Sequence, residues 1–306
     1  MTKYRAVVVG LGNIGFSFSK EKREGIWSHA EAYNVSKNVE LVAGVDPISV
    51  KKKDFLNYFD DTQISFYSSI DDLLNNEDFN IASICTPTHL HFSVFEELLK
   101  NKRLKGVIIE KPCGMNLEET IAIDNLAKQK GVSVAVNYIR RWDERYIFAK
   151  QFIDENLGRI IGVNAIYPGK IKNIGSHLID TIFMLTGEDF EEVKGYKILR
   201  NAEDPDVSGI IKLKNNIFAN IQAIGNDKNL VFELSIIGEK GRLTLKNNGE
   251  NFVYERYEES NRYQGYRELK VEEISKPNQG SLIKKVVENL INYISDGVSL
   301  NSSINE

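Results

Sequence analysis

The amino-acid sequence predicts a doubly wound parallel α/β sheet followed by an α+β domain with a mostly antiparallel sheet. The chain has 306 residues, roughly twice the length that usually forms one compact domain. Strand-like and helix-like patterns alternate from residue 3 to about residue 138, as a parallel sheet with crossover helices requires. After Gly158 the pattern changes to runs rich in Ile, Val, Phe and Tyr, separated by turn residues. We therefore expect one domain over residues 1–120 and a second over residues 121–306.

The first domain contains nearly continuous apolar runs, which predict parallel strands that are covered on both faces. These runs are Tyr4–Val9, Glu40–Val45, Ile81–Cys85, Val107–Ile109 and Val132–Val136. The intervals between them have apolar residues at three- and four-residue spacing, which predicts helices that lie on the sheet. The predicted helices are His29–Ser36, Ser69–Asn75, Phe92–Lys100 and Leu117–Lys130.

The second domain is predicted from runs of β-favouring residues that alternate with turn signals. The predicted strands are Ile160–Tyr167, Val193–Leu199, Val207–Leu213, Ile217–Ile224, Leu230–Ile237 and Arg242–Leu245. Helices at Glu144–Asn156, His177–Thr186 and Ser281–Ser295 are expected to cover one face of this sheet. Asn215-Asn216 predicts a tight hairpin turn, because Asn tolerates a positive φ.

One predicted strand of the second domain has an apolar stripe on alternate residues: Ile217, Ala219, Ile221 and Ala223. Either the domain's own helices or the sheet of a second copy must cover such a face. We expect a homo-oligomer, a dimer or a tetramer, and keep coverage by the domain's own helices as the alternative.

Composition and charge exclude several classes of protein. Hydrophobic residues make up 42% and charged residues 27% of the chain, which excludes a disordered, collagen-like or coiled-coil protein. The net charge of −4 is too balanced for a dedicated nucleic-acid binder. No apolar run is long enough to span a membrane, and the first residues lack a signal-peptide core. The two cysteines, Cys85 and Cys113, cannot form a disulfide framework, so we expect a cytoplasmic protein without nucleic-acid or membrane partners.

A glycine-rich motif, Gly10-Leu11-Gly12-Asn13-Ile14-Gly15, follows the first predicted strand. Its glycines permit a tight turn, close approach to a pyrophosphate and close helix packing, which is typical of a Rossmann-type dinucleotide-binding domain. The alternative is a structural turn without a ligand. The position of the motif, and Asp46 at the end of the second predicted strand, favour nucleotide binding. The expected cofactor contacts are Gly10, Gly12, Asn13, Ile14, Gly15 and Asp46.

The choice of dinucleotide depends on Asp46, because a carboxylate accepts the ribose hydroxyls and repels a 2′-phosphate. We therefore expect NAD, with NADP as the less favoured cofactor. Lys51, Lys52 and Lys53 are expected to form a solvated helix face, and phosphate contact is the alternative. Phe16–Trp27 is predicted to be an inserted polar loop, which makes the distance from the motif to Asp46 longer than usual.

Two further motifs lie where predicted parallel strands end, the edge at which ligands bind in open α/β sheets. They are Thr86-Pro87-Thr88-His89 and Glu110-Lys111-Pro112. Chemistry at a nicotinamide needs a group that exchanges the proton of the reacting hydroxyl or carbonyl. Lys111 and, later in the chain, His177 are suitable residue types. The alternative for Lys111 is a surface ion pair. The alternative for His177 is packing at the start of a helix, and the residues alone favour that alternative.

Together these motifs resemble those of the Gfo/Idh/MocA family of glucose-fructose oxidoreductases and inositol dehydrogenases. Two more segments carry the resemblance: Asn137-Tyr138-Ile139-Arg140-Arg141-Trp142-Asp143 and Gly175-Ser176-His177-Leu178-Ile179-Asp180. The resemblance covers almost the whole chain. It implies an N-terminal dinucleotide-binding domain, a C-terminal open-faced sheet domain, and a sugar-like substrate between them.

The resemblance also implies roles for individual residues. Lys111 is expected to be catalytic and His177 to assist it, with Pro112 in the cis form. Many relatives have an Asp where this chain has Asn173, whose amide can orient a hydroxyl but cannot take its proton. Further cofactor contacts are expected from Thr86, Pro87 and Glu110, and substrate contacts from Asn173, Asp180, His89, Arg140 and Tyr138.

We therefore expect an NAD-dependent oxidoreductase that transfers a hydride between nicotinamide and a secondary alcohol or ketone of a sugar, polyol or nucleotide-sugar. Two alternatives remain: an NADP-dependent reductase of another carbonyl or imine, and a non-catalytic dinucleotide-binding regulator. Asn173 motivates the regulator, whereas the presence of both Lys111 and His177 favours an enzyme. No metal is expected, because His89 and His91 would point apart on a helix.

Overall fold

The chain forms two compact units in this computed structural model, which describes residues 3–21, 25–60, 63–198, 203–226 and 228–304. The first unit is Met1–Trp142 together with Gly280–Glu306, and the second is Asp143–Gln279. This division differs from the expected boundary near residue 120. The physical reason is that the strand Ser133–Val136 completes the first sheet by pairing with Gly106–Ile109.

The first unit contains a parallel six-stranded sheet in the order β3-β2-β1-β4-β5-β6. Its strands are β1 (Tyr4–Val9), β2 (Val39–Val45), β3 (Ser65–Tyr67), β4 (Ile81–Ile84), β5 (Gly106–Ile109) and β6 (Ser133–Val136). Its first helices are α1 (His29–Val35), α2 (Val50–Phe59), α3 (Ile70–Asn76), α4 (His91–Leu98) and α5 (Leu117–Lys130). The sequence pattern misses β3 and the extent of α2, because β3 has three residues and α2 buries only Phe55.

Alternate residues of β1 point into two different cores, as expected for a strand that is covered on both faces. Val7 and Val9 pack on the side of α3, α4 and α5, whereas Ala6 and Val8 pack on the side of α1. Each of the four side chains is at most 4% exposed. Helices on both faces therefore hold the strands whose carboxyl ends carry the predicted motifs.

The second unit contains an eight-stranded sheet in the order β14-β13-β12-β11-β7-β10-β9-β8, in which β7 and β10 are the parallel neighbours. Its strands are β7 (Ile160–Tyr167), β8 (Phe190–Ile198), β9 (Asp206–Leu213), β10 (Ile217–Ala223), β11 (Glu233–Gly238), β12 (Gly241–Lys246), β13 (Asn251–Glu259) and β14 (Arg267–Glu272). Its helices are α6 (Glu144–Asn156) and α7 (Ser176–Thr186). The sequence pattern misses β13 and β14, because charged residues interrupt their apolar alternation. Leu199, the predicted end of β8, lies outside the described residues.

The turn between β9 and β10 is the predicted hairpin, in which Asn215 and Asn216 have φ values of 59° and 58°. The apolar stripe of β10 is at most 6% exposed and packs against α6 and α7. Its members are Ile217, Ala219, Ile221 and Ala223. The domain's own helices therefore cover this face, and the stripe gives no argument for an oligomer.

The last helix, α8 (Leu282–Asp296), belongs to the first unit, so the prediction that it covers the antiparallel sheet is wrong. It packs against α1, β5 and β6, and its residues Ile283, Val286 and Leu290 share a core with Ala6. Periodicity identifies the apolar side of a helix but not the sheet that this side meets. None of the helices in the described part of the chain is long and apolar enough to cross a membrane.

Candidate functional site

The glycine-rich turn is packed tightly on its protein side and open at its centre. Gly10 follows β1 with a φ of 92°, and a Cβ at this position would lie 2.7 Å from the carbonyl carbon of Cys85. A Cβ on Gly15 would lie 2.0 Å from the Gly10 carbonyl oxygen. By contrast, a Cβ on Gly12 meets no atom of the described residues within 4 Å. The turn therefore leaves space at Gly12, as a phosphate-binding turn requires.

The insertion after this turn is built into the start of α1. The amides of His29 and Ala30 donate to the carbonyl oxygens of Ile14 and Gly15, each at 3.0 Å, so the helix resumes where the turn ended. Phe16 is 1% exposed and packs on α2, with its ring 5.2 Å from that of Phe55. The expected polar loop thus begins at a buried residue, Phe16. Within it, residues 22–24 lie outside the described residues.

Asp46 joins the glycine-rich turn to the residues that follow β2. Its Oδ2 accepts hydrogen bonds from the Leu11 amide and from Lys51 Nζ, both at 2.8 Å, and its Oδ1 accepts from the Ile48 amide at 3.0 Å. Lys51 is therefore an ion-pair partner of Asp46, and the expectation of a solvated face is wrong for Lys51. Lys52 and Lys53 are exposed, as expected.

The predicted motifs meet at one edge of the sheet because β4, β5 and β6 are parallel neighbours. Thr86 and Pro87 follow β4, Glu110 and Lys111 follow β5, and Asn137 follows β6. The Lys111–Pro112 peptide bond is cis, as the resemblance implied. Thr86 Oγ1 and Asn137 Oδ1 are buried and have no hydrogen-bond partner among the described residues. Together with the open space at Gly12, this spare hydrogen-bonding capacity fits a dinucleotide bound across this edge.

Glu110 is a carboxylate of this edge that two side chains contact. Its Oε1 accepts from Asn137 Nδ2 at 2.6 Å and lies 2.9 Å from His29 Nε2. Burial raises the pKa of Glu110, but the hydrogen bonds of His29 and Asn137 and the electrostatic effects of His29 and Lys111 bring this pKa below its usual value. The carboxylate next to Lys111 is therefore kept ionised.

His29 is a residue of this edge that the sequence reasoning missed. Its only signal is its place at the start of α1, the helix that follows the glycine-rich turn. His91 is not a predicted site residue, yet its ring joins two loops of the edge. Its Nε2 lies 2.9 Å from the Thr86 carbonyl oxygen and its Nδ1 lies 3.0 Å from that of Pro112.

Among the described residues, no cluster of three or more His, Cys, Asp or Glu side chains can hold a metal.

The remaining candidates of the first unit lie around the same strand ends. His89 is exposed in a short 3₁₀ turn after β4, and Tyr138 and Arg140 are half-buried after β6. Arg141 is held by the C-terminal segment, since Asn301 Nδ2 donates to its carbonyl oxygen at 3.2 Å.

The two cysteines are free and buried, as expected of small hydrophobic residues. Burial raises the pKa of both thiols, that of Cys113 to about 12. The charge of Glu110 adds to the effect at Cys85. Neither thiol is therefore suited to act as a nucleophile near neutral pH.

In the second unit, the predicted residues lie on α7 and on the turn before it. Asn173 is exposed in a π-helical turn, and its amide donates to Asp204 Oδ2 at 3.0 Å. His177 is half-buried in the first turn of α7, and Asp180 is 7% exposed one turn further on. Asp204 is a second residue that the sequence reasoning missed, because its contact with Asn173 joins segments far apart in the chain.

The family model GFO_IDH_MocA, described as an oxidoreductase family with an NAD-binding Rossmann fold, matches residues 4–138. The uncharacterized oxidoreductase YhhX of Escherichia coli is 29% identical over 161 residues, which are 47% of this chain and 46% of that protein. UDP-N-acetylglucosamine 3-dehydrogenase of Acidithiobacillus ferrooxidans is 25% identical over 234 residues, which are 73% of this chain and 67% of that protein. The chain spans about half the length of the first curated relatives that it matches.

Solved structures share the fold of both units. That of the Acidithiobacillus ferrooxidans dehydrogenase has a TM-score of 0.78 at 19% identity and covers 100% of this chain and 93% of that one. The WlbA dehydrogenase of Bordetella pertussis, solved with NADH and UDP-GlcNAcA, has a TM-score of 0.77 at 20% identity, with 99% and 91% covered. The predicted fold class, a Rossmann-type sheet followed by a mostly antiparallel one, is therefore confirmed.

Proposed function

We propose that the chain, whose residues 4–138 match the model of the Gfo/Idh/MocA oxidoreductase family, is an NAD-dependent enzyme acting on a secondary alcohol or ketone of a sugar, polyol or nucleotide-sugar. The observation that carries the proposal is the meeting of the open glycine-rich turn with Glu110-Lys111-Pro112 at one edge of a parallel sheet. Two similar proteins are named or solved as enzymes of UDP-linked sugars, which favours a nucleotide-sugar.

The residues of the first unit divide into those that hold the cofactor and those that act on the substrate. The Gly10–Gly15 turn binds the pyrophosphate, Asp46 the ribose hydroxyls, and Thr86, Pro87 and Glu110 the nicotinamide half. When bound, nicotinamide supplies the acceptance or donation of a hydride. Lys111 exchanges the proton of the reacting hydroxyl or carbonyl.

His177 assists the reaction, and further contacts orient the substrate. In the proposed role, His177 positions the reacting oxygen or shares its proton, because a neutral imidazole can both donate and accept a hydrogen bond. Asn173 orients a hydroxyl without taking its proton. The other proposed substrate contacts are His89, Tyr138, Arg140 and Asp180.

A screen for turnover tests this function against its alternatives. The purified protein is assayed with NAD(H) and NADP(H) on free sugars, polyols and nucleotide-sugars, and the absorbance of the reduced cofactor is followed. We expect turnover with NAD(H) on at least one compound. Tight NAD binding without turnover throughout the screen would favour the non-catalytic regulator, and turnover with NADP(H) alone would favour the reductase.

We expect the protein to bind NAD(H) more tightly than NADP(H), because the Asp46 carboxylate repels a 2′-phosphate. The ion pair with Lys51 at 2.8 Å weakens that repulsion. The variant Lys51→Met should therefore increase the preference for NAD(H) by about tenfold, which is about 1.4 kcal/mol, because it removes the cation that offsets the charge of the carboxylate. Calorimetry with both reduced cofactors measures it, with the exposed Lys53→Met as the matched control. Equal or tighter binding of NADPH by the wild type would contradict the role of Asp46 and make Lys51–Lys53 candidates for phosphate contact.

We also expect a homo-oligomer in solution, with its interface on the outer face of the second sheet. Phe218 is 48% exposed on β10, on the face opposite the covered stripe, and Tyr196 is 60% exposed on the edge strand β8. Light scattering at micromolar concentration should give a mass of at least twice 34.8 kDa. Phe218→Glu should lower that mass, because it places a charge in an apolar contact. A wild-type mass near that of one chain would reject the oligomer.

A further inference from the structure

A buried chain of hydrogen bonds runs beneath the strand ends of the first unit, from α1 across β4 to β5. The Tyr33 hydroxyl lies 2.6 Å from Ser83 Oγ, which lies 2.9 Å from His29 Nδ1. The Nε2 atom of His29 lies 2.9 Å from Glu110 Oε1. Tyr33, Ser83 and His29 have no exposed side-chain surface, so water does not compete for these bonds.

The donors and acceptors of this chain fix the proton on one ring nitrogen of His29. Tyr33 donates to Ser83, Ser83 donates to Nδ1 of His29, and Nε2–H of His29 donates to Glu110, so that every proton has an acceptor. Burial raises the pKa of Tyr33, which keeps this hydroxyl protonated. Protonation of Nδ1 would reverse the first two bonds only. In either charge state, His29 Nε2 presents a proton to Glu110.

We propose that His29 is a positioning residue that keeps the Glu110 carboxylate ionised and fixed at the carboxyl end of β5, and thereby orients the adjacent Lys111. The consequence for turnover rests on the proposed function, whereas the effect on Glu110 does not. The backbone hydrogen bonds that join His29 and Ala30 to Ile14 and Gly15 support the proposal. They keep the start of α1 next to β4 and β5 in spite of the insertion.

The groups around Glu110 determine the direction of the expected effect. His29 faces it from α1, Asn137 from the end of β6, Lys111 from the next position in the chain, and the Cys85 thiol from the end of β4. Burial raises the pKa of Glu110, and His29 contributes the largest opposing effect. Loss of the His29 donor must therefore raise the pKa of Glu110, so that the carboxylate takes up a proton at higher pH.

The test compares His29→Leu, which removes the donor, with His29→Gln, whose amide can still donate but does not titrate. Tyr33→Phe is the matched control, because it removes a buried hydroxyl of the same chain without touching Glu110. Thermal unfolding monitors the stability of each variant. The carboxyl carbons of ¹³C-labelled glutamate are titrated by NMR without cofactor or substrate, and Glu110→Gln identifies the Glu110 signal.

We expect Glu110 to titrate at higher pH in His29→Leu than in the wild type, and at the wild-type position in Tyr33→Phe. With a substrate from the screen, kcat of His29→Leu at pH 7 should fall at least about tenfold with KM within about threefold, as for a lost positioning interaction. The acid limb of its pH profile should move to higher pH. In His29→Gln, both kcat and the Glu110 titration should move back toward the wild type.

An unchanged Glu110 titration in a folded His29→Leu protein would overturn the proposal. If that variant fails to fold, His29→Gln is compared with His29→Ala instead. A Glu110 titration in His29→Gln that lies far above that of the wild type, and no lower than that in His29→Ala, would mean that an amide donor restores nothing. That result would overturn the proposal equally. A shifted Glu110 titration in a protein that turns over nothing would support the role of His29 at Glu110 and reject the proposed function.

Discussion

Lys111→Ala should lower turnover by about 10²- to 10⁴-fold, the usual loss when one positioned acid or base is removed. Its affinity for NAD should stay within about threefold of the wild type, because the Gly10–Gly15 turn and Asp46 lie on other strand ends and are unchanged. Stopped-flow turnover and calorimetry with NAD measure the two quantities on the same preparation. Near-normal turnover would overturn the assignment, and lost NAD binding would indicate a cofactor-binding or structural role for Lys111.

His177→Ala gives a useful comparison, because this residue lies in the second unit and is proposed to assist. The loss of turnover should be smaller than or comparable to that of Lys111→Ala. Its pH profile should change as well, because a group proposed to share the proton of the reaction is removed. A profile that keeps its shape with only slightly reduced turnover would indicate a packing role at the start of α7.

The second large effect is expected in the glycine-rich turn, where two chemically identical substitutions should fail in different ways. Gly15→Ala should leave little folded protein, because its Cβ would lie 2.0 Å from a backbone oxygen that cannot move away cheaply. Gly12→Ala should unfold at the wild-type temperature, because its Cβ meets no described atom within 4 Å. It should nevertheless bind NAD at least about tenfold more weakly, since the added methyl occupies the place of the pyrophosphate.

Thermal unfolding and calorimetry separate these outcomes. A Gly12→Ala protein that binds NAD as the wild type does would mean that the nucleotide does not approach the turn at Gly12. A fully folded Gly15→Ala protein would contradict the close packing of Gly15 against the Gly10 carbonyl group.

Local patterns predict the elements that depend on local chemistry. The apolar run of β1, the glycines after it and the motif at Glu110-Lys111 are each contiguous, and neighbouring parallel strands bring their ends to one edge. The Asn215-Asn216 turn is predicted for the same reason, because a positive φ is a property of the residues themselves.

Partners that are distant in sequence could not be predicted in this way. The apolar side of α8 is evident from its spacing, but its packing against β5 and β6 is a matter of topology. The contacts of His29 with Ser83 and Glu110, and of Asp204 with Asn173, are likewise choices among many compatible polar groups. The stripe on β10 shows the same limit, since the sequence establishes that the face is covered but not by which helices.

The place of α8 has a consequence for folding during synthesis. On the ribosome, β1–β6 and α1–α5 emerge before the second unit, but the part of the sheet at β5 and β6 against which α8 packs remains uncovered until α8 has been made. The second unit is continuous from Asp143 to Gln279, so all its strands and helices are available earlier. The unit synthesised first is thus the one completed last, and a nascent chain that stops at Trp142 exposes an apolar sheet face prone to aggregation.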